Sequence, residues 1–220
     1  MGRRARIVAL VVLGAVVALV AGGYAVLALT GDDAPPPPRL QGTPAQDAAA
    51  PEGGGRWAVT DGGFVGYRVD EKYLGVGVRT AVGRTSAVAG TVTLDGGRIA
   101  SADLRADMRR VRSDQARRDD TLRYRAIETD RYPTARFTLG GPFALSARLQ
   151  RTSGTLTLHG RRATIAVTVR GQRLSGNRLE LVGSAPIRFA SFAIEPPSVA
   201  GVVTVRDRGL LEFRLVLAQG

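Results

Sequence analysis

His159 is the only histidine in this 220-residue chain, and there is no cysteine. Transition-metal sites are built from imidazole and thiolate ligands, so this composition argues against one. A Ser-His-Asp arrangement would need His159 as its base, oriented by a buried carboxylate. Yet His159 lies in "LHGRR", where Gly160 marks a turn between two alternating runs. The reading we take is a turn histidine whose ring makes local hydrogen bonds. "GVGV" at 75–78 lacks the spacing of a phosphate-binding glycine loop. The composition implies neither a cofactor nor a metal, and the chain reads as a non-enzyme.

The densest chemistry lies in "RRDDTLRYRAIETDRYPTARFTL", residues 117–139. Arg117, Arg118 and Arg123 alternate with Asp119 and Asp120 at spacings that suit side-chain pairs on a helix. Two readings stand. Arg118 and Asp119 clamp the segment to the rest of the fold through charge-assisted hydrogen bonds. Alternatively, Arg117, Arg118 or Arg123 meets an anionic head group. Ser113 is placed to cap a helix beginning at Asp114, and Pro133 ends it.

The elements around this island alternate with period two, the mark of half-buried strands. Val88, Gly90, Val92 and Leu94 share one face. After the turn at Asp95-Gly96-Gly97, the face Ala100, Ala102, Leu104, Ala106 and Met108 returns. "SGTLTL" and "ATIAVTVRG" flank the His159 turn, with Ile165, Val167 and Val169 inward. In the last run, Leu211, Phe213, Leu215 and Leu217 alternate with Glu212, Arg214 and Val216. Short turns between such runs describe an antiparallel meander of about eight strands, which closure into a barrel would free of edges.

Ahead of this domain, Ile7 to Thr30 is 24 residues without a charge. As a helix it would reach about 36 Å, against a hydrocarbon core of about 30 Å. The reading is one transmembrane helix at 7–30, with a cleaved leader as its competitor. Arg3, Arg4 and Arg6 precede it, and Asp32 and Asp33 follow. The positive-inside rule therefore puts residues 1–6 in the cytoplasm and the rest outside. Residues 31–55, rich in Pro, Ala and Gly, read as a disordered, partly polyproline linker. The folded domain is 56–220. It carries the whole excess of the net charge of +12, because charges cancel in the first 55 residues. All but one of the 31 basic residues are arginine, Lys72 being the exception. Such a surface suits anionic lipid or wall polymer; no nucleic-acid-binding motif is present, and nothing specifies an oligomeric state.

"WAVT", "GRTSAVAGTVTLDGG", "SDQARRDDTLRYRAIETDRYPTARFTL", "GTLTLHGRRATIAVTV", "APIRFASFAI" and "LEFRLVL" occur in the order seen in the YceI-like family of lipid- or polyisoprenoid-binding proteins. The chain resembles that family from Trp57 to Leu217. Its most specific parts are Arg118-Asp119-x-x-Leu122, "RYPTARF", and "LTLHG" with a Thr soon after. Ser191 and Ala193 stand where the family has Asp and Gly, a departure in one loop at a barrel mouth.

The resemblance implies an all-β fold: an extended eight-stranded antiparallel, lipocalin-like barrel with a short helical connection, around a long apolar cavity for a prenyl chain or similar lipid. An eight-stranded barrel can equally be filled by its own side chains. Gly90, Ala100, Ala102 and Ala106 are small, which favours an open interior. On this reading the cavity lining comprises Val92, Leu94, Ala102, Leu104, Ala106, Met108, Phe137, Leu156 and Leu158. The function expected is non-catalytic binding of a polyisoprenoid or similar amphiphilic lipid outside the membrane. The alternative is a packed barrel serving as an adaptor for envelope polymers or a membrane protein through its arginine-rich surface.

Overall fold

The computed structural model describes residues 34–45, 54–199 and 203–219. The apolar segment 7–30 lies outside them; among the described residues no helix is long and apolar enough to cross a membrane. Twelve strands are present in this part: β1 (Gly55–Tyr73), β2 (Gly77–Thr85), β3 (Val88–Asp95), β4 (Arg98–Asp107), β5 (Thr134–Leu139), β6 (Phe143–Ala144), β7 (Gln150–Leu158), β8 (Arg161–Leu174), β9 (Arg178–Ile187), β10 (Ser198–Val199), β11 (Val203–Val205) and β12 (Gly209–Gln219). Eight of them close a barrel. The order β1-β12-β9-β8-β7-β5-β4-β3 returns to β1 through Gly55–Ala58 paired with Thr91–Leu94. Every ladder is antiparallel.

Tight turns set the registers. Gly96 and Gly97 both have positive φ, as do His159 and Gly160. Asp95 therefore pairs Arg98, and Leu158 pairs Arg161, across two-residue turns whose twist suits a hairpin. One expectation shifts by a residue. Thr93 pairs Ser101 while Leu94 pairs Ile99, so Ala100 is a bulge. The inward residue at this end of β4 is Ile99, 1% exposed, rather than Ala100.

β1 is longer than the barrel is tall. Its first part pairs β3 on one side; its last part, Val65–Tyr73, pairs β2. Glu71–Tyr73 also pair β11, which pairs β10. The strands β2, β1, β11 and β10 thus form a flap that continues past the ends of β12 and β9.

The connection between β4 and β5 roofs the same end. A single turn at Met108–Arg110 is followed by helix α1 (Ala116–Thr121) and a wider helical turn, Leu122–Ala126. α1 starts two residues later than the sequence suggests. Ser113 does not cap it; instead the Asp119 carboxylate accepts from the Ser113 N–H at 2.8 Å and from its hydroxyl at 2.7 Å. Asp119 is buried, so this small loop is fastened from within the helix. Met108 N–H donates to Pro133 O at 2.8 Å, which closes the connection at its base.

Residues 34–45 also belong to the fold. The linker reading fails for them: they lie as a strap along the outside of the barrel. Arg68 and Arg84 donate to the carbonyls of Pro35 and Pro36 at 2.6 and 3.0 Å. The N–H groups of Gln41 and Gly42 donate to Glu180 at 3.1 Å, and Ala45 N–H donates to Arg173 O at 3.1 Å. Proline-rich sequence cannot join a sheet ladder continuously, but its carbonyls remain free to accept from arginine.

Candidate functional site

The barrel interior divides lengthwise. At the end where β3 meets β4 and β8 meets β9, the fully buried Trp57 packs with Val92, Leu94, Ile99, Leu179 and Leu217. This half is filled. Val92, Leu94 and Ala102, expected on a cavity wall, belong here: the Trp57 indole takes up the space their small neighbours leave.

The other half is hollow. A cavity of about 240 Å³ lies beneath the helical connection and the flap. It exceeds the roughly 150 Å³ of an engineered apolar cavity that stays dry and binds benzene. Leu104 and Ala106 of β4, Met108 of the turn that follows it, Phe137 of β5, and Leu156 and Leu158 of β7 all face it. The opposite wall comes from β8, β9 and β12, through Ile165, Val167, Ile187, Leu211 and Phe213. Leu122, Ala126 and Ile127 close the roof. The floor is aromatic: Phe213 touches the cores of both halves.

Glycines on the inner face let these rings lie flat. A Cβ at Gly154 would stand 2.3 Å from the Phe137 ring, and one at Gly83 would stand 2.4 Å from that of Tyr67. Each aromatic covers the bare backbone of its neighbour strand, so the wall stays smooth without losing contact area.

Two charged side chains point into this apolar space. Glu71 sits on the inward face of β1, near the flap. Arg118 of α1 meets it with two hydrogen bonds, Nε to Oε1 at 2.9 Å and Nη2 to Oε2 at 3.0 Å. Tyr73 donates its hydroxyl to Glu71 at 2.7 Å. Burial and that bond to Glu71 push the Tyr73 phenol up to about 12. Burial also drives Tyr67, on the same wall, well above the ordinary phenol range. Burial alone would lower the Arg118 guanidinium, but Glu71 and Asp114 outweigh it and hold it above its usual value. Arg105, Arg136 and Glu212 also border the cavity, yet their side chains alternate to the outside. Arg136 pairs there with Asp103 at 2.6 Å and Glu212 with Arg68 at 2.6 Å.

The three arginines expected at a head group are not one cluster. Arg118 alone lines the cavity. Arg117 is exposed on the outer side of α1. Arg123 lies 3.6 Å from Asp120, with its guanidinium 5.7 Å from the Tyr124 ring centre. Of the clamp reading, Arg118 fits, with Glu71 as the partner that sequence spacing did not reveal; Asp119 holds Ser113 within the connection rather than the barrel wall. An inward carboxylate on an alternating strand is the only sequence signal, and it is visible once Val65, Tyr67 and Val69 are set on the inner face.

His159 is a turn residue. Its Nδ1 lies 3.0 Å from Phe192 O, and its ring meets Tyr132 edge-on at 4.7 Å. It thereby ties the β7–β8 turn to the loop before β10. That loop ends a short helical turn, Phe189–Phe192, with Ala193 at φ 53°. Glycine adopts this left-handed conformation freely, whereas alanine resists it. Among the described residues, no group of three or more His, Cys, Asp or Glu side chains is arranged to hold a metal ion.

Residues 60–217 match the family model described as YceI-like domain. No curated protein matches the chain. Among solved structures, a polyisoprenoid-binding domain from Saccharophagus degradans, implicated in plant cell wall breakdown, superposes with a TM-score of 0.58 at 20% identity. It covers 74% of this chain and 98% of its own. Burkholderia cenocepacia BcnA gives 0.55 at 21% identity, covering 70% of this chain and 95% of its own. At such identities the likeness is one of fold.

Proposed function

Because the chain belongs to the YceI-like family, we propose that its barrel takes up the apolar chain of a polyisoprenoid or similar amphiphilic lipid, catalyses nothing, and works on the outer side of a membrane in which residues 7–30 are the anchor. The observation that carries this reading is the hollow half: a cavity of about 240 Å³ with aliphatic and aromatic walls. Protein interiors hold few voids larger than a water molecule, so a large apolar space of this kind supports a ligand site. The binding domain from Saccharophagus degradans shares the fold and supports the choice of ligand class.

The mechanism is exclusion of water. Burying about 300 Å² of apolar ligand surface contributes on the order of 7 kcal/mol, and ordering a flexible chain offsets part of it. The two buried phenols and the Glu71–Arg118 pair leave no unpaired charge on the wall, so the ligand end reaching them is one that hydrogen-bonds without bringing a full charge. The hollow half favours this reading over the alternative, a packed barrel that binds envelope polymers or a membrane protein through its arginine-rich surface.

The test is extraction. The full chain, purified in mild detergent from its host membrane, is extracted with organic solvent and the extract analysed by mass spectrometry. The expected result is a prenyl or comparable long-chain lipid near one per chain, displaced on adding a fluorescent prenyl probe. An extract without lipid, together with no uptake of the probe, overturns the reading.

A further inference from the structure

The strap runs lengthwise. It starts at Ala34, beside Arg68 and Arg84 at the hollow end, and passes Glu180 to reach Leu174 and Arg173 at the filled end. Only residues 31–33 separate Ala34 from the uncharged segment that ends at Thr30. Three residues reach about 10 Å. Whatever surface the apolar segment enters, the hollow end of the barrel is therefore held against it.

That end has the surface chemistry to match. Among the described residues, four large apolar side chains are at least half exposed: Leu74 at 64%, Tyr124 at 61%, Val78 at 58% and Leu149 at 50%. Leu74 and Val78 form the tip of the β1–β2 flap, and Tyr124 sits on the helical roof. Three of the four thus ring the hollow end; Leu149 is at the opposite one. Cations stand among them. Lys72, Arg117 and Arg125 are exposed and make no ion pair among the described residues. The nearby carboxylates Asp114 and Asp120 are already held by Arg118 and Arg123.

We propose that the flap tip and helical roof form a bilayer-docking surface: Leu74, Val78 and Tyr124 enter the interface of the membrane while Lys72, Arg117 and Arg125 meet anionic phospholipid head groups. Apolar side chains rimmed by unpaired cations are what an anionic bilayer surface binds. The strap makes the arrangement permanent rather than occasional. The roof over the cavity is then the face turned to the bilayer, so a ligand entering or leaving past it moves between membrane and barrel without crossing the aqueous phase. This rests on the anchored, lipid-binding reading given above.

The test uses the full chain in vesicles of phosphatidylcholine and phosphatidylglycerol, with plain or brominated acyl chains. Trp57 is the only tryptophan, fully buried in the filled half, and serves as an internal reference. Tyr124→Trp adds a reporter at the roof and Leu149→Trp adds one at the far end. Brominated chains are expected to quench the added Tyr124→Trp emission about twofold while leaving Leu149→Trp and Trp57 unchanged, since docked side chains sit within about 10 Å of the acyl boundary. Removing phosphatidylglycerol, or combining Arg117→Glu with Arg125→Glu, should reduce that quenching. Equal emission from both reporters, or quenching at Leu149→Trp alone, overturns the docking surface. Loss of the chain from the vesicles in an alkaline wash instead sinks the anchor. Absence of bound prenyl lipid sinks the ligand reading, so the three failures are distinguishable.

Discussion

Arg118 and Glu71 are 47 residues apart in the chain and grip each other through two parallel hydrogen bonds on the wall of an apolar cavity. This pair couples the helical roof to the one strand that spans the molecule. A buried pair of this kind contributes little net stability, but losing one partner is costly. Arg118→Leu is expected to destabilise by about 3 kcal/mol, because Glu71 then faces hydrocarbon with only the Tyr73 hydroxyl. Glu71→Leu with Arg118→Leu should recover most of that loss. Denaturant melts of the two single variants and the double variant give the coupling directly.

The division of the interior predicts opposite outcomes for two alanines on the same face of β4. Ala106 borders the hollow half and Ala102 packs against the filled one. Ala106→Phe should abolish uptake of a fluorescent prenyl lipid and leave the melting temperature nearly unchanged. Ala102→Phe overpacks the Trp57 core, at about 1 to 3 kcal/mol, and should spare uptake by the protein that stays folded. The same result for both substitutions would mean that the interior is not divided.

Trp57 closes the filled end with 0% exposure. Trp57→Ala should cost about 3 to 5 kcal/mol, the usual range for removing a large buried aromatic. The space released adjoins the cavity floor at Phe213, so binding of longer prenyl chains by the surviving folded fraction should rise relative to shorter ones. Titration with a chain-length series reads this out.

Glu180 responds to acid. Its burial alone would raise its pKa, but N–H groups of the strap at Gly42 and Gln41, together with Arg214 and Gln172, outweigh that and hold the carboxyl below its usual range. A depressed folded-state pKa means that the stabilisation is present above the ordinary carboxylate value of about 4.3 and is lost as pH falls through the lower folded value. Slow amide exchange at Gln41 and Gly42 should therefore persist near neutrality and be lost only as pH falls below the ordinary carboxylate value and through the lower folded one. Glu180→Gln should speed exchange at both amides near neutrality and remove the acid dependence. Exchange that ignores both changes would refute the linkage.

Ala193 occupies a glycine conformation at φ 53°. Ala193→Gly should stabilise by about 0.5 to 1 kcal/mol, because relief of the left-handed strain exceeds the entropy glycine adds to the unfolded chain. A thermal melt that falls instead would show that the methyl group makes contacts worth more than the strain.

Much of the barrel was legible because its signals are local. Positive-φ turn residues at Gly96-Gly97 and His159-Gly160 fix hairpins without reference to the rest of the chain. Ile165, Val167 and Val169, like Leu211, Phe213, Leu215 and Leu217, alternate cleanly and face inward as their period requires. What escaped the sequence depends on distant partners. Ala100 becomes a bulge only because Leu94 pairs Ile99. Glu180 and Glu212 alternate with apolar residues and look solvated; Glu180 is buried beneath Arg214 and the strap, and Glu212 pairs with Arg68 and Arg84. Val92 and Leu94 were rightly placed inside, but whether an inward residue lines a cavity or a core is decided by Trp57, some 35 positions away. Pro35 and Pro36 carry no pattern at all, and only the arginines that reach their carbonyls reveal that they are docked.

The strap also sets how far the barrel can travel. While it is bound, the barrel sits within a few residues of the point where the chain leaves its apolar segment. The bonds that hold it lie in a row, from Pro35 and Pro36 to Gln41, Gly42 and Ala45, so a pull from the N-terminal side opens them one after another rather than all together. Peeled off, the 21 residues from Ala34 to Gly54 give about 70 Å of extended chain. With the anchor proposed above, one covalent structure would thus have two ranges of action: a short leash pressed to its base, and a long one that sweeps a shell of the surrounding space.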